Sequence, residues 1–301
     1  MLDVLDFCCG CGGFSKGFSD AGFRIKYAID NWKLCRETYE YNFPNTEFVL
    51  SDVNDLNPED FSKVDVFIGS APCKNISKAN SEFDIKEGMK LVFTFLKWVE
   101  IIQPSFWFME NVETIKKYLK LYVNHPRIPI IKIINCADFG VPQIRKRCFS
   151  GNYITPKPTH NEKQTTTLFG TLKKWVIIEE AIKDLLTINT EHRYKLSLSS
   201  PIMIKKHPFQ RLDKIAYTIK TKVRNEYYLE IFQKDYERLN IPSLLRENKV
   251  IYRMFTIKEL KRLQTFPDNF KFIGSKHATR IMIGNAVPPT ISYALANAIN
   301  S

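Results

Sequence analysis

The chain reads as an α/β protein: a doubly wound, mostly parallel sheet joined to a second, smaller and irregular domain. Three observations predict this. Short apolar runs alternate with helical patterns through the first half, a proline-bearing polar tract breaks that rhythm near residue 155, and charge is divided unequally between the two halves.

The runs at 2–7, 24–29, 47–50, 64–68, 105–109 and 128–135 have the length and β-branched or aromatic content of strands, with helical patterns in most of the gaps between them. The clearest helix covers 86–102, where Leu91, Phe95, Trp98, Val99 and Ile102 recur at helical spacing and Pro104 follows the end. That stripe belongs to the core. Pro156, Pro158 and the polar tract 159–167 read as a linker, and the stretch up to 250 lacks a βα rhythm. Beyond it, Thr256 stands as N-cap of a helix over 256–264, with Glu259 at the capping-box position and Pro267 past the end. A last helix covers 289–299. The expected division is 1–154, 155–250 and 251–301.

A length of 301 residues with 44% hydrophobic content suffices for a full core plus a smaller domain. No run approaches the ~18 apolar residues of a membrane span, and the acidic, glycine-rich start at 1–13 does not read as a secretory signal. Seven cysteines form an odd set without a disulfide framework, which points to a reducing, cytoplasmic setting. The cluster Cys8-Cys9-Gly10-Cys11 lacks a second ligand pair at zinc spacing, so no metal is expected. Up to Glu110 there are 17 acidic against 11 basic side chains; beyond it, 33 basic against 15 acidic. An acidic half followed by a strongly basic one predicts a clamp for a polyanion such as nucleic acid.

Cys73 lies in Gly69-Ser70-Ala71-Pro72-Cys73, directly after an apolar run, and Glu110-Asn111-Val112 follows another. Strand ends gather at the carboxyl edge of a parallel sheet, so a thiol and a carboxyl would face one substrate there. The turn Gly10-Cys11-Gly12-Gly13 follows the first strand and opens a helix, but lacks the Gly-x-Gly-x-x-Gly spacing that cradles a pyrophosphate. It suits a nucleoside without phosphates. Asp30, after the second run, is placed to accept from ribose hydroxyls, and Asp52, after the third, from an adenine amino group.

With these residues in hand, the chain resembles the cytosine-C5 DNA methyltransferases of the microbial stand-alone type. The glycine turn, Asp30, Asp52, Pro72-Cys73, Glu110-Asn111-Val112, Gln143-Ile144-Arg145-Lys146-Arg147, Leu263-Gln264-Thr265-Phe266-Pro267 and Gly284-Asn285-Ala286-Val287 occur in the family's order, leaving only about 155–250 uncovered. The resemblance implies a Rossmann-like class I methyltransferase fold, with 155–250 as target-recognition domain and the terminal helix packed back on the first domain. It implies S-adenosyl-L-methionine as cofactor, S-adenosyl-L-homocysteine as product, and a cytosine in a specific DNA sequence as substrate. Cys73 is then the nucleophile at carbon 6 and Glu110 the acid at ring nitrogen 3. Arg145 and Arg147 hold the extruded base and its backbone, with Arg147 the better candidate for the carbonyl at carbon 2.

For the cofactor the resemblance implies Cys9, Gly10, Cys11, Gly12, Gly13, Asp30, Asn31, Asp52, Val53, Pro72, Leu91, Asn285 and Ala286. For double-stranded DNA it and the basic composition imply Ser77, Gln143, Lys205, Lys206, Arg211, Thr218, Lys220, Lys222 and Arg224. The polar stretch 77–88 reads as a loop closing over the extruded base. A cognate restriction endonuclease is an expected partner, and the protein is expected to act as a monomer on DNA. Three positions depart from the family pattern. Cys8 stands where phenylalanine is common, Lys74 where glutamine follows the cysteine, and Asp30 where glutamate is usual. Lys74 adds positive charge beside the thiol, which favours a thiolate.

Other readings compete. A transfer-RNA methyltransferase of the same chemistry would carry a Cys-Phe-Thr segment, not evident after 255. A silent DNA-binding homologue would not need Cys73, Glu110 and Arg147 together, and a dehydrogenase would need the phosphate-cradling glycines.

Overall fold

Alternation of side chains along each strand decides how this molecule is layered. The computed structural model describes residues 1–71, 85–122, 128–167, 170–186, 209–221, 228–232, 235, 238 and 250–300. Strands β1 (Asp3–Phe7), β2 (Arg24–Asp30), β3 (Glu47–Leu50), β4 (Val66–Gly69), β5 (Phe106–Val112), β6 (Ile130–Asn135) and β8 (Lys146–Asn152) form a seven-stranded sheet ordered β3-β2-β1-β4-β5-β8-β6. A short strand β7 (Gln143–Ile144) pairs outside that sheet with Ala216–Tyr217. Leu5, Phe67 and Met109 face one side, against Phe95, Trp98 and Val99 of helix α3 (Ile85–Ile102). Val4, Val66, Ile68 and Phe108 face the other, against Phe14 and Phe18 of α1 (Gly13–Asp20) and Ile291 and Leu295 of the terminal helix (Pro289–Asn300). Period-two patterning thus yields helices on both faces.

The expected strands are all present, with two differences that matter. The fifth extends past Met109 to Val112, so Glu110 and Asn111 are strand residues, registered with Phe149 and Cys148. And β8, a polar segment with no strand pattern in its sequence, is inserted antiparallel between β5 and β6. Its composition, Lys-Arg-Cys-Phe-Ser-Gly-Asn, has too few apolar positions to show a strand period.

Four further helices complete the large sheet's surroundings: α2 (Lys33–Asn42), α4 (Ile115–Tyr122), α6 (Ile257–Leu263) and α7 (Lys276–Asn285), with α5 (Ile178–Leu186) in the irregular region and α8 the terminal helix. At α6 the expected capping box is formed: the Glu259 N–H donates to Thr256 Oγ1 and Glu259 Oε2 accepts from the Thr256 N–H. The described parts of 155–250 hold α5 and short strands, and the tract read as a linker includes two of them, His160–Asn161 and Thr166–Thr167. Their apolar residues do not form a separate core. Ile178, Ile182, Leu212, Ile219 and Leu229 pack with Phe255, Leu260, Leu263 and Ile283 of the C-terminal segment. No helix among the described residues is long and apolar enough to cross a membrane.

Candidate active site

The carboxyl ends of β1, β2, β4 and β5 meet the start of β8 along one edge, and the chemistry divides along it. On the β1–β2 side the charges are acidic. Asp30 ends β2; its two oxygens accept from the Gly10 N–H at 2.8 Å and the Trp32 N–H at 2.8 Å, which fixes the carboxylate beneath the glycine turn. Burial pushes its carboxyl above the ordinary range, opposed by those two N–H donors. Asp52, after β3, is half-buried and accepts from the N–H and side chain of Asn54 and from Asn31 Nδ2 at 3.0 Å. These bonds hold it below the ordinary range. Thr94 of α3 donates to Asn54 at 2.8 Å, bringing the helix face that carries Leu91 toward Asp52. Val53 is buried in the α3 core.

In the turn, Cys9 and Cys11 send their side chains into a cluster with Ala28, Tyr39 and Phe270, leaving backbone as their offering to a ligand. Gly10 has φ +54, with nothing within 4 Å of where a Cβ would stand, so a ligand has open approach to that backbone. Gly13 is the opposite case. A Cβ there would lie 2.3 Å from the Val287 carbonyl oxygen and 3.0 Å from the Ala286 Cβ, so the C-terminal segment closes directly on the turn. Ala286 is buried and Asn285 exposed at that junction.

Asp6, a residue sequence reading passed over, is fully buried at the end of β1. One oxygen accepts from Ser15 Oγ at 2.6 Å, and Ser15 in turn bonds the Tyr39 hydroxyl; the other oxygen has no partner. Burial pushes its carboxyl up to about 7, with Asp30 adding to the rise and Ser15 opposing it. Asp6 therefore contributes stability that is full below about pH 4 and lost as pH rises through about 7. We expect Asp6→Asn to flatten the melting temperature between pH 5 and 8; a slope equal to that of the wild type would contradict this.

On the β5–β8 side, Glu110 is 7% exposed and meets Arg147 Nε at 3.0 Å. Burial drives its carboxyl above the ordinary range, while Arg147, Arg145 and a hydrogen bond from Ser70 pull it back. Asn111 Nδ2 donates to the Ala71 carbonyl at 3.1 Å, tying the end of β5 to the segment that leads into Cys73. Ser70 and Asn111 thus support Glu110 and the segment that leads into Cys73. Their only sequence signal is adjacency to the motifs. Pro72, Cys73, Ser77, Lys205, Lys206, Lys222 and Arg224 lie outside the described residues.

Two of the expected site residues are buried in structural contacts. Arg145, expected at the extruded base, is 1% exposed and donates to the carbonyls of Ile219, Gly284 and Ala286 at 3.0–3.1 Å. It clamps three chain segments together. Gln143, expected at DNA, is fully buried; its Nε2 donates to Leu263 O at 2.8 Å and Gln264 Oε1 at 2.6 Å, and its Oε1 accepts from the Ile219 N–H. Arg147 remains half-buried at the site, with Nη1 donating to the Lys146 carbonyl. Thr218 donates to the Ile144 carbonyl, Arg211 pairs with Asp213, and Lys220 is exposed. No group of three or more His, Cys, Asp or Glu with metal-holding geometry occurs among the described residues.

Comparison with known proteins finds relatives along the whole chain. The family model described as C-5 cytosine-specific DNA methylase matches residues 2–301. The chain is 31% identical to a type II methyltransferase of Haemophilus parahaemolyticus, over 99% of this chain and 86% of that protein. It is 27% identical to one of Neisseria gonorrhoeae, over 99% and 95%. Its fold is similar to the solved structure of an Entamoeba histolytica methyltransferase, with TM-score 0.69, 18% identity and coverage of 99% and 98%. The chain belongs to the C-5 cytosine-specific DNA methylase family.

Proposed function

We propose that this chain methylates carbon 5 of a cytosine swung out of duplex DNA, drawing the methyl group from S-adenosyl-L-methionine and passing through a transient Cys73 adduct. The pair of buried Glu110 and half-buried Arg147 at the sheet edge, with Glu110 hydrogen-bonded to Ser70, three residues before Cys73, carries the reading. Cytosine carbon 5 is a poor nucleophile until the ring is converted to an enamine, which needs a thiolate on carbon 6 and a proton at nitrogen 3. Cys73 supplies the first. Glu110, its carboxyl raised by burial, supplies the second, and Arg147 beside it is the donor for the carbonyl oxygen at carbon 2. Loss of the carbon-5 proton then restores the ring and expels Cys73.

The acidic half of the edge fits the cofactor. The charges bearing on the Cys8 thiol are all carboxylates, those of Asp30, Asp6 and Asp52, which suits a cationic nucleoside. Asp30 would accept from ribose hydroxyls, Asp52 with Asn31 would meet the adenine end, and the open backbone at Gly10 would lie against the ligand. When bound, S-adenosyl-L-methionine supplies an electrophilic methyl group. Pro72, Leu91, Asn285 and Ala286 would enclose it, and a cognate endonuclease is the expected partner in the cell.

The test is transfer of labelled methyl groups to duplex DNA and to transfer RNA, followed by methylation-sensitive sequencing of DNA from expressing cells. Label at cytosine carbon 5 within one recurring DNA sequence is expected. Label confined to RNA, or on another base, would overturn the proposal. Glu110→Gln is expected to lower transfer by about 10²–10⁴-fold. The wild type is expected to lose activity as pH rises through the Glu110 pKa, since only the protonated acid donates, and Glu110→Gln should remove that fall. An unaltered alkaline limb would reassign that proton.

A further inference from the structure

The cofactor side of the edge is acidic, and the opposite side ends in an unassigned basic groove. Helix α4 starts three residues after Val112, the last residue of the strand that bears Glu110. Ile115 and Leu119 are fully buried beneath it, which turns Lys116, Lys117 and Lys120 outward along one side. Together with Glu113, Thr114, Tyr118 and Ile133 of edge strand β6, these lysines line a groove of about 650 Å³. The three lysines make no salt bridge among the described residues, and α4 contains no acidic residue.

Position sets this apart from an ordinary solvated helix face. Arg147 is registered with Val112 on one side and Ile134 on the other, so the strand that carries the candidate base-holding arginine lies between β5 and the β6 wall of the groove. Lys116 and Glu113 both act on the buried thiol of Cys148, the residue next to Arg147. Exposed Lys146 precedes Arg147 and adds a fourth cation at the same end of the sheet. A cationic rim with Tyr118 and Ile133 in its wall matches a sugar–phosphate strand: ammonium groups for phosphate oxygens, apolar surface for deoxyribose.

We infer that the groove between α4 and β6 is a phosphate-backbone subsite for the stretch of DNA duplex flanking the extruded cytosine. It rests on the methyltransferase reading above and extends the DNA footprint onto the catalytic half of the chain. Contacts of this kind position the duplex and carry no sequence preference.

The experiment measures equilibrium binding of the full chain to fluorescent duplexes across a salt series, for the wild type, for Lys116→Gln/Lys117→Gln/Lys120→Gln, and for the milder Lys117→Gln/Lys120→Gln. Thermal unfolding establishes that each is folded. Neutralising three phosphate contacts is expected to reduce the slope of log affinity against log salt by about 2–3, and by about 2 for the double variant. Affinities for duplexes of unrelated sequence should fall in parallel. A steep wild-type slope that both variants retain would overturn the subsite while leaving the methyltransferase reading intact; an acidic protein as the groove's true occupant would give this outcome. A wild type without salt-dependent DNA binding would remove both.

Discussion

Cys73→Ser is expected to reduce methyl transfer to duplex DNA by about 10⁴-fold or more, while cofactor and DNA binding persist. A thiol ionises near neutral pH and a serine hydroxyl does not, so the replacement removes the only nucleophile proposed for cytosine carbon 6. Lys74, the next residue, places a positive charge where it favours the thiolate. Initial rates with labelled S-adenosyl-L-methionine, set beside binding isotherms for cofactor product and duplex, separate loss of chemistry from loss of the complex. A variant that retained even a tenth of the wild-type rate would sink the proposed adduct.

Arg145→Met should destabilise the chain by about 3–5 kcal/mol, an effect on folding that a residue holding only the substrate would not have. Its guanidinium is enclosed and donates to three carbonyls, Ile219, Gly284 and Ala286, from two distant segments of sequence. Without it the Ile219 and Gly284 carbonyls lose that donor, which a flexible methionine does not replace, while the Ala286 carbonyl keeps only Gln264 Nε2 at 2.6 Å. Thermal unfolding should register the loss as a fall of about 5–8 °C for a chain of this size. Arg145→Lys is expected to recover little, because a single ammonium cannot span acceptors spread across a planar fork. If Arg145→Met instead melted with the wild type and lost only activity, the residue would return to the role that the sequence motif suggested.

The contrast between Arg145 and Arg147 shows where sequence reading ran out. Two arginines separated by one residue look equivalent in Gln143-Ile144-Arg145-Lys146-Arg147, and an unbroken strand would turn them to the same face. The chain breaks pairing between β7 and β8 at residue 145, and the carbonyl of Arg145 is taken by the Cys136 N–H. That interruption sends one guanidinium inward and leaves the other beside Glu110. The placement of Asp30 and Asp52 at the sheet edge was legible because they follow apolar runs in the alternating half, where strand ends gather. Gln143 and Asp6 were not. A buried polar residue gives no periodic signal, and its partners, Gln264 in one case and Ser15 with Tyr39 in the other, are set by tertiary packing. β8 was hidden for a related reason: the residues that serve the site displaced the apolar ones that would have announced a strand.

The closure of the C-terminal segment on the glycine turn has a consequence for biogenesis. Gly13 abuts the Val287 carbonyl and Gly17 abuts Ser292, so the turn borrows its outer wall from residues synthesised much later than itself. Contacts of such long sequence separation form slowly. A nascent chain would therefore keep the glycine turn open until translation had passed residue 292, by which point residues 155–250 would already have been made.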